Sequence, residues 1–450
     1  MTAGGSRAYV PTFTDSVLEC MPSPIVIGAG LTGLSISHSL SRASIDHVLI
    51  GRRPDMSPRL GESMNLEGTL LLREMFPQLS RFFFPKAQVL GYLGQHEVVC
   101  DFDVGRRFVS RLVFRAMGYA PADEFLQVDR LGFDAALWDL ATASDHCTVL
   151  DAQISSVDFD ADADRFVGVR LSNGTVLEPS YVFDGTNHGR LLGNAASLTY
   201  RNLSDPQRVV YTHYHLPVDA PHGVEDWERT TAIVRLFADS DGADAIAWCI
   251  PLGRYISIGL SMGADRSTHS GVELLEMTAA AFARYGIDYR RRFSRQAEIK
   301  GLQHSYFVYE RAYGANWLLA GPSFCQVWWM AGAGVGTALA AARLAPRLLQ
   351  DPARWGAEYD RYMKRLEAMQ EVFDYFALTP REGYGRAGLS HFSDRFVINN
   401  LTRLATSARM RDSRLARAAY RGLMWLFARP GVIRDYCSVL RASNRVVPVG

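Results

Sequence analysis

Two features of the chain bear directly on chemistry. Gly28-Ala29-Gly30-Leu31-Thr32-Gly33 spaces three glycines as GxGxxG, between the apolar run Ile25-Val26-Ile27 and a helix-like apolar pattern over residues 34–40. In that setting Gly28 permits a tight turn, Gly30 lets backbone approach a pyrophosphate, and Gly33 lets helix and strand pack closely. The helix N-terminus, with Thr32 in its first turn, faces the phosphates. The second feature is a scarcity of lysine: of 48 basic residues only Lys86, Lys300 and Lys364 are lysine. Codon bias explains the scarcity, and it draws attention to any lysine at a chemically sensible place.

The nucleotide fingerprint lacks its usual partner. An acidic residue should end the second strand and hold the adenosine ribose. The position is Gly51, followed by Arg52 and Arg53, which either stack on adenine or reach a phosphate, or stand as solvated arginines. His213 and His215 are two apart on a strand-like run and share a face. No Asp, Glu or Cys completes a metal site beside them, so they are expected to line a substrate pocket with Tyr211 or to face solvent. Gln303-His304-Ser305-Tyr306 offers His304 or Tyr306 to a substrate. There is no GxSxG nucleophile elbow, no P-loop and no second convincing dinucleotide motif.

The elements that must hold these residues follow from periodicity. Residues 25–27, 34–40 and 46–50 form a βαβ opening, which calls for a right-handed crossover and a parallel sheet. Residues 64–84 read as helical, 89–102 alternate as strand, 133–143 read as helix, and Ser172-Asn173-Gly174 reads as a hairpin turn. From 209 to 262 the texture changes to four strand-like runs (209–216, 231–237, 245–250 and 255–261) separated by Asp, Gly and Pro. Residues 273–286 read as helix, 316–350 as a strand, a glycine-rich turn and an alanine-rich helix, and the rest as mostly helix. The expected fold is α/β: a Rossmann-like dinucleotide-binding domain, an inserted antiparallel sheet and a helical C-terminal region, which the resemblance given below makes an FAD-binding domain and a substrate-binding sheet. The boundaries are a lead-in over 1–24, the nucleotide domain over 25–200 with 85–125 contributing to the substrate pocket, the substrate sheet over 201–310, a second nucleotide segment over 311–351, and helices over 352–450.

Composition narrows the field. With 450 residues, 48% hydrophobic and 21% charged, the chain is not disordered, collagenous or coiled-coil. A net charge of +1 supplies no chain-wide field for nucleic acid or acidic lipid. Six scattered cysteines without CxxC or CxxH argue against a disulfide framework or structural zinc and for a reducing cytoplasm. Residues 1–20 carry Arg7 as their one basic residue and no apolar core, so no secretory signal is expected. Residues 317–349 are interrupted by Gln326, Arg343 and Arg347 and read as buried rather than membrane-spanning.

Several stretches, in order, resemble the class A flavin monooxygenases and, more closely, their flavin-dependent halogenase branch. Arg52-Arg53-Pro54, Pro58-Arg59 and Gly61-Glu62-Ser63 resemble that branch's "RRP…PR…GES" segment. Gln127-Val128-Asp129-Arg130 with Phe133-Asp134 resembles "QVDRxxFD", and Phe183-Asp184-Gly185-Thr186 takes the "DA(S/T)G" place. Trp248-Cys249-Ile250-Pro251 resembles the second half of "WxWxIP", and Gly321 with Gly334-Val335 keeps the "GD…GV" spacing. The resemblance covers residues 25 to about 345. It implies FAD, reduced by NAD(P)H or by a partner flavin reductase, and oxidation of a hydrophobic secondary-metabolite intermediate through a flavin C4a-hydroperoxide. It implies FAD contacts from Gly28, Gly30, Thr32, Gly33, Arg52, Arg53, Ser63, Arg130, Asp184, Gly185, Gly321, Gly334 and Val335, and substrate contacts from Tyr211, His213, Trp248 and Trp329.

Lys86 precedes Gly94 as the lysine precedes the last glycine of the halogenase "KxGGxFxWG". The resemblance implies a catalytic ammonium that meets hypohalous acid between flavin and substrate. The departures are Ile246 for the first Trp of "WxWxIP", Pro322 for the Asp of "GD", Trp329 for the proline beside the ring, Ala333 for a serine, and Asn187 for the last glycine of "DASG". Trp328 and Trp329 would stack on the isoalloxazine or fill part of its pocket. A halogenase working through Lys86, and a cyclase, isomerase or binding protein that has lost the redox role, are the alternatives. The last fifty residues hold ten arginines against Asp412 and Asp435, a net of +8. They read as a solvated helical cap, a dock for an acidic acyl or peptidyl carrier protein, or a membrane-surface contact.

Overall fold

The computed structural model describes residues 22–86, 88–93, 96–101, 115, 125–236, 245–264, 268–295, 297–327, 332–366, 410, 418, 421–422 and 444–448. Most of the expected lead-in, most of 94–124, Trp328 and Trp329, and nearly all of the basic C-terminal region lie outside them.

β1 (Ser23–Ile27) and β2 (His47–Ile50) are short apolar runs with no alternation, as strands covered on both faces require. They belong to a five-stranded parallel sheet in the order Trp317–Leu319, Pro179–Asp184, β1, β2, Cys147–Leu150. α1 (Leu31–Arg42) crosses from β1 to β2 and packs against the helix Ala333–Leu348, whose small side chains allow close approach. The approach at the start of α1 is closer still. A methyl group at Gly33 would lie 1.7 Å from Gly28 O, and one at Gly185 would lie 3.0 Å from both Gly33 N and Ile27 O. Gly28 itself has φ +96°, in the left-handed region.

A second, ten-stranded sheet carries the 209–262 runs. Its longest strand, Tyr200–His215, pairs antiparallel with Lys300–Tyr309 on one side and Tyr255–Gly263 on the other. Ala245–Pro251 and Thr230–Leu236 follow antiparallel, Gln88–Leu93 then joins parallel, and His96–Asp101 and Asn444–Pro448 end that side; Cys325–Gln326 pairs beyond Lys300–Tyr309, and Ser294–Arg295 pairs with the end of Tyr200–His215. Period two sorts the side chains. Val210, Tyr214, Ile258 and Leu260 pack with Leu274, Leu275 and Phe282 of the helix Gly271–Arg284. Val209, Tyr211, Trp248 and Ile250 face the other way, against Leu60.

Three elements differ from expectation. Residues 64–84 are not one helix: α2 (Leu66–Met75) stops before Pro77, which opens a 3-10 turn, and Phe83–Lys86 is a strand paired with Phe125–Val128. Proline cannot continue the helical hydrogen-bond ladder, so the break falls there. Within the run read as one strand, Gln88–Leu93 and His96–Asp101 are two antiparallel strands. The strand read from 209 begins at Tyr200 and is bulged on either side of Ser204, next to Pro206, where a ladder tolerates a missing N–H. The Ser172-Asn173-Gly174 turn does join two antiparallel strands, with Gly174 at φ +90°. Among the described residues no helix is long and apolar enough to cross a membrane, and no group of three or more His, Cys, Asp or Glu is placed to hold a metal.

Two stability outcomes follow. Gly33→Ala should cost about 3 kcal/mol or more, read as a lowered denaturation midpoint, because backbone cannot yield to the added methyl as a side chain could. His38 in α1 lies against the Phe76 ring, and burial, then Arg42, lower its pKa to about 4. Between the unfolded value of 6.5 and about 4 the unfolded chain binds a proton that the folded chain refuses, so stability falls as pH falls through that window. His38→Leu should shrink the loss of unfolding free energy between pH 7 and pH 5 by about 1–2 kcal/mol in urea titrations.

Candidate functional site

The carboxyl edge of the parallel sheet opens toward the large sheet, and a cavity of about 300 Å³ lies between them. At one end is the first turn of α1, with Leu31 and Thr32 in the wall. Gly30 caps this helix without a side-chain hydrogen bond, no acidic residue stands in the first turn, and a methyl at Gly30 would meet nothing within 4 Å. The helix Ala333–Leu348 begins in the same way, at Gly332, and its first residues form another part of the wall. Gly332 sits at φ +54°, where a side chain would be 2.8 Å from Ser63 O. Two helix N-termini with uncapped N–H groups therefore border one cavity, an arrangement that favours anionic or electron-rich groups.

The other end is built on Lys86. Its side chain is 4% exposed. Nζ donates to Met64 O at 2.5 Å and Ser63 Oγ at 3.0 Å, and sits 5.7 Å from the Phe125 ring centre. Lysine is buried only when its ammonium is held in this way. Ser63 Oγ also meets Thr231 Oγ1, which accepts from Gln127. Trp248, tied to Ser257 through its indole N–H, closes the wall with Ile250 and Ile233.

A polar shoulder also forms part of the wall. His188 and His304 both line the cavity, with ring centres 5.5 Å apart and nearly perpendicular. His304 Nδ1 meets Gln326 Nε2 at 3.3 Å. Burial, then His188, lower the His304 pKa to about 4, against a backbone hydrogen bond at Val327, so the ring is neutral at pH 7. Burial and Arg190 likewise lower that of His188.

The structure gathers some expected site residues here and sends others elsewhere. Thr32, Ser63, Lys86, Arg130, Trp248, Gly334 and Val335 line the cavity. Arg130 is committed to Asp134 through two bonds of 2.9 Å and to Leu60 O. Arg52 and Arg53 do not line it; they pair on the surface with Asp151 and Asp139, each at 2.9 Å, and are more than half exposed. Asp184 is fully buried and its oxygens are spent on Thr186, Leu192 and Ser323. It shapes the turn that carries Asn187 rather than meeting a ligand, and Gly185 beside it serves the contact with Gly33. Gly321, at φ +55°, donates its N–H to Tyr359 and leaves Pro322 in the wall. Tyr211 and His213 are not pocket residues either. Tyr211 Oη donates to Pro58 O, and His213 lies against Glu62, so both are taken up by the segment that carries the cavity wall. Tyr306 is buried outside it.

Residue-by-residue reading passed over Glu62, Asn187, His188 and Gln326 as functional groups. Glu62 is visible only as the centre of the Gly61-Glu62-Ser63 motif and Asn187 only as a departure from "DASG", and His188 and Gln326 carry no spacing signal.

These residues fit a flavin dinucleotide in part. The open space at Gly30, the uncapped α1 terminus and the glycine-rich start of the second helix suit a diphosphate and a planar ring. The ribose site does not follow the usual pattern, since a methyl at Gly51 would fall 2.7 Å from Ala29 N and Cβ. No protein-family model matches the chain. A 65-residue stretch is 34% identical to the FAD-dependent monooxygenase atmM of Aspergillus flavus, spanning 14% of this chain and 14% of that relative. Among solved structures, a variant of the halogenase PltM in complex with FAD matches with TM-score 0.65 and 14% identity, covering 94% of this chain and 91% of that one. The flavin-dependent brominase Bmp2 matches with TM-score 0.61 and 15% identity, covering 90% and 99%. The chain thus has the fold shared by flavin-dependent halogenases and flavoprotein monooxygenases.

Proposed function

We propose that the protein is an FAD-dependent oxidoreductase of the monooxygenase and halogenase superfamily, acting on a hydrophobic small molecule of secondary metabolism. One observation carries this reading: a single cavity runs from an uncapped, glycine-cleared helix terminus to a buried lysine and an apolar wall. Gly30, Thr32 and the α1 N–H groups would hold the diphosphate, and Gly334 and Val335 would lie along the ring. A flavin held there, once reduced by NAD(P)H or by a partner reductase, would react with dioxygen and so supply an oxygen electrophile for the substrate or for halide. The chain's own share is positional. Trp248, Ile250 and Ile233 of the large sheet would bury the substrate and exclude water, and Ser63 and Met64 aim the Lys86 ammonium into the cavity.

The burial of Lys86 supports a second reading, halogenation, in which its N–H groups hydrogen-bond the electrophilic halogen species beside the substrate. The basic segment near the C-terminus, proposed as a dock for an acidic carrier protein, lies outside the described residues and adds no support.

The reading has two tests. Gly30→Ala should leave the denaturation midpoint within about 0.5 kcal/mol of wild type, since its methyl meets nothing, yet weaken FAD binding at least about tenfold in flavin-fluorescence titrations. Unchanged FAD affinity would remove the α1 terminus from the site. Lys86→Met should keep FAD affinity within about twofold while product formation falls by about a hundredfold or more. Turnover at the wild-type rate would take the lysine out of the chemistry.

A further inference from the structure

A second cavity, of about 300 Å³, lies under the helix Gly271–Arg284, on the other face of the large sheet from the first. The sheet separates the two. Tyr214 belongs to the core beneath this helix, Trp248 to the cluster that faces Leu60, and no residue lines both cavities. Tyr214, Leu275 and Phe293 are buried in the wall, Ile299 is half-buried there, and Val272 is 51% exposed at the rim.

One ion pair interrupts this apolar lining. Arg290 donates to Glu276 from Nη1 at 2.5 Å and from Nη2 at 2.8 Å, and both residues line the cavity. The guanidinium also hydrogen-bonds the Tyr214 side chain, which anchors it to the wall. Both partners stay open to water, with side chains 36% and 59% exposed. The pair shows what the guanidinium recognises: its planar fork holds a carboxylate through two N–H bonds, a geometry that arginine offers and lysine does not. The carboxylate now in the fork is the chain's own, one helical turn on from Val272. An ion pair so exposed contributes little to stability, because solvent screens it and two long side chains must be ordered to make it. A carboxylate arriving on an apolar body makes the same two bonds and adds the burial of that body.

We propose that this cavity is a second binding site, for a small organic acid: one carboxylate on an aliphatic or single-ring body, seated with the body against Leu275, Phe293 and Ile299 and the carboxylate on Arg290 in place of Glu276. Glu276 is a displaceable cover that occupies the fork between ligands. A dianion is disfavoured, since the displaced Glu276 remains close by as a like charge. A cation would have to part Arg290 from both Glu276 bonds and from Tyr214. Binding makes and breaks no covalent bond. The site stands apart from the flavin reading and does not rest on it.

The test titrates octanoate and 1-octanol into the full chain by calorimetry, with and without FAD. 1-Octanol is the more hydrophobic probe, so a preference for octanoate reports a cation at the end of the site. Octanoate should bind at least about tenfold tighter. Arg290→Gln should remove that preference, and Arg290→Lys most of it, because an ammonium lacks the fork. Glu276→Gln should act in the opposite direction, tightening octanoate at least about threefold with 1-octanol unchanged, since it removes the competing carboxylate and leaves the guanidinium. Equal affinities in wild type, binding of neither probe, a preference that survives Arg290→Gln, or octanoate not tightened by Glu276→Gln would overturn the assignment. Loss of octanoate binding on adding FAD would also overturn it, by placing the acid in the first cavity. The wild-type comparison needs no variant, so a misfolded one leaves the site decidable. A chain that takes up no FAD but prefers octanoate would sink the flavin reading and leave this site standing.

Discussion

The site depends on backbone touching backbone where β1 turns into α1. Gly28, Gly33 and Gly185 meet at distances that leave no room for a single methyl group. That contact sets the start of α1 against both β1 and the strand Pro179–Asp184. Asp184 then extends the constraint: its carboxylate ties the turn at Thr186 to Ser323, and Ser323 in turn receives the Asn187 N–H. Three segments distant in sequence are thereby held around one end of the cavity. Close-packed interiors transmit such constraints because they have no slack to absorb them.

The far end is held by a different means. Lys86, Ser63, Thr231 and Gln127 form a short polar chain across the join between the two-stranded pair and the large sheet. Each member is partnered by the framework, so the ammonium keeps a defined place instead of reaching for solvent. A guanidinium would not substitute: its planar fork needs several coplanar acceptors, whereas a compact ammonium is satisfied by one carbonyl and one hydroxyl. In a chain so biased toward arginine, that geometric demand gives a physical reason for lysine here. His304 completes the wall as a neutral ring, so the shoulder adds no charge to those of Lys86 and the Asp134-paired Arg130.

What could be read from the sequence was what local pattern encodes. The GxGxxG turn follows from glycine's freedom and the strand and helix on either side, and Trp248 and Ile250 follow from alternation on a strand. Lys86 stood out by rarity and by its distance from a glycine. The misreadings share a cause. Alternation placed Tyr211 and His213 on one face but could not tell that the face abuts the 58–62 segment rather than open space. Arg52 and Arg53 stay undecided between ligand and solvent, and Asp184 falls to a ligand, because nothing local announces Asp151, Asp139, Thr186 and Ser323 as partners for their hydrogen bonds. Buried polar groups choose partners across the fold, and a one-dimensional reading sees the donor without its acceptor.

The departures at Gly51 and Pro322 gain meaning from this geometry. The missing carboxylate at the end of β2 is a matter of space: the backbone at Gly51 runs so close to Ala29 that any side chain there would collide with main chain. Pro322, near the start of a 3-10 turn, presents a ring to the cavity where a hydrogen-bond acceptor is expected, its Cγ 3.8 Å from where a methyl at Gly334 would stand. Both changes remove groups that would grip the sugar-like parts of a dinucleotide, and both leave untouched the helix termini that meet its phosphates. Under the proposed flavin reading, binding energy would have to come from backbone N–H groups at two helix ends and from burial of a planar ring. Both contributions would depend on the tight turn at Gly28 and Gly33 being formed, so that reading ties cofactor affinity to the integrity of the βαβ opening itself.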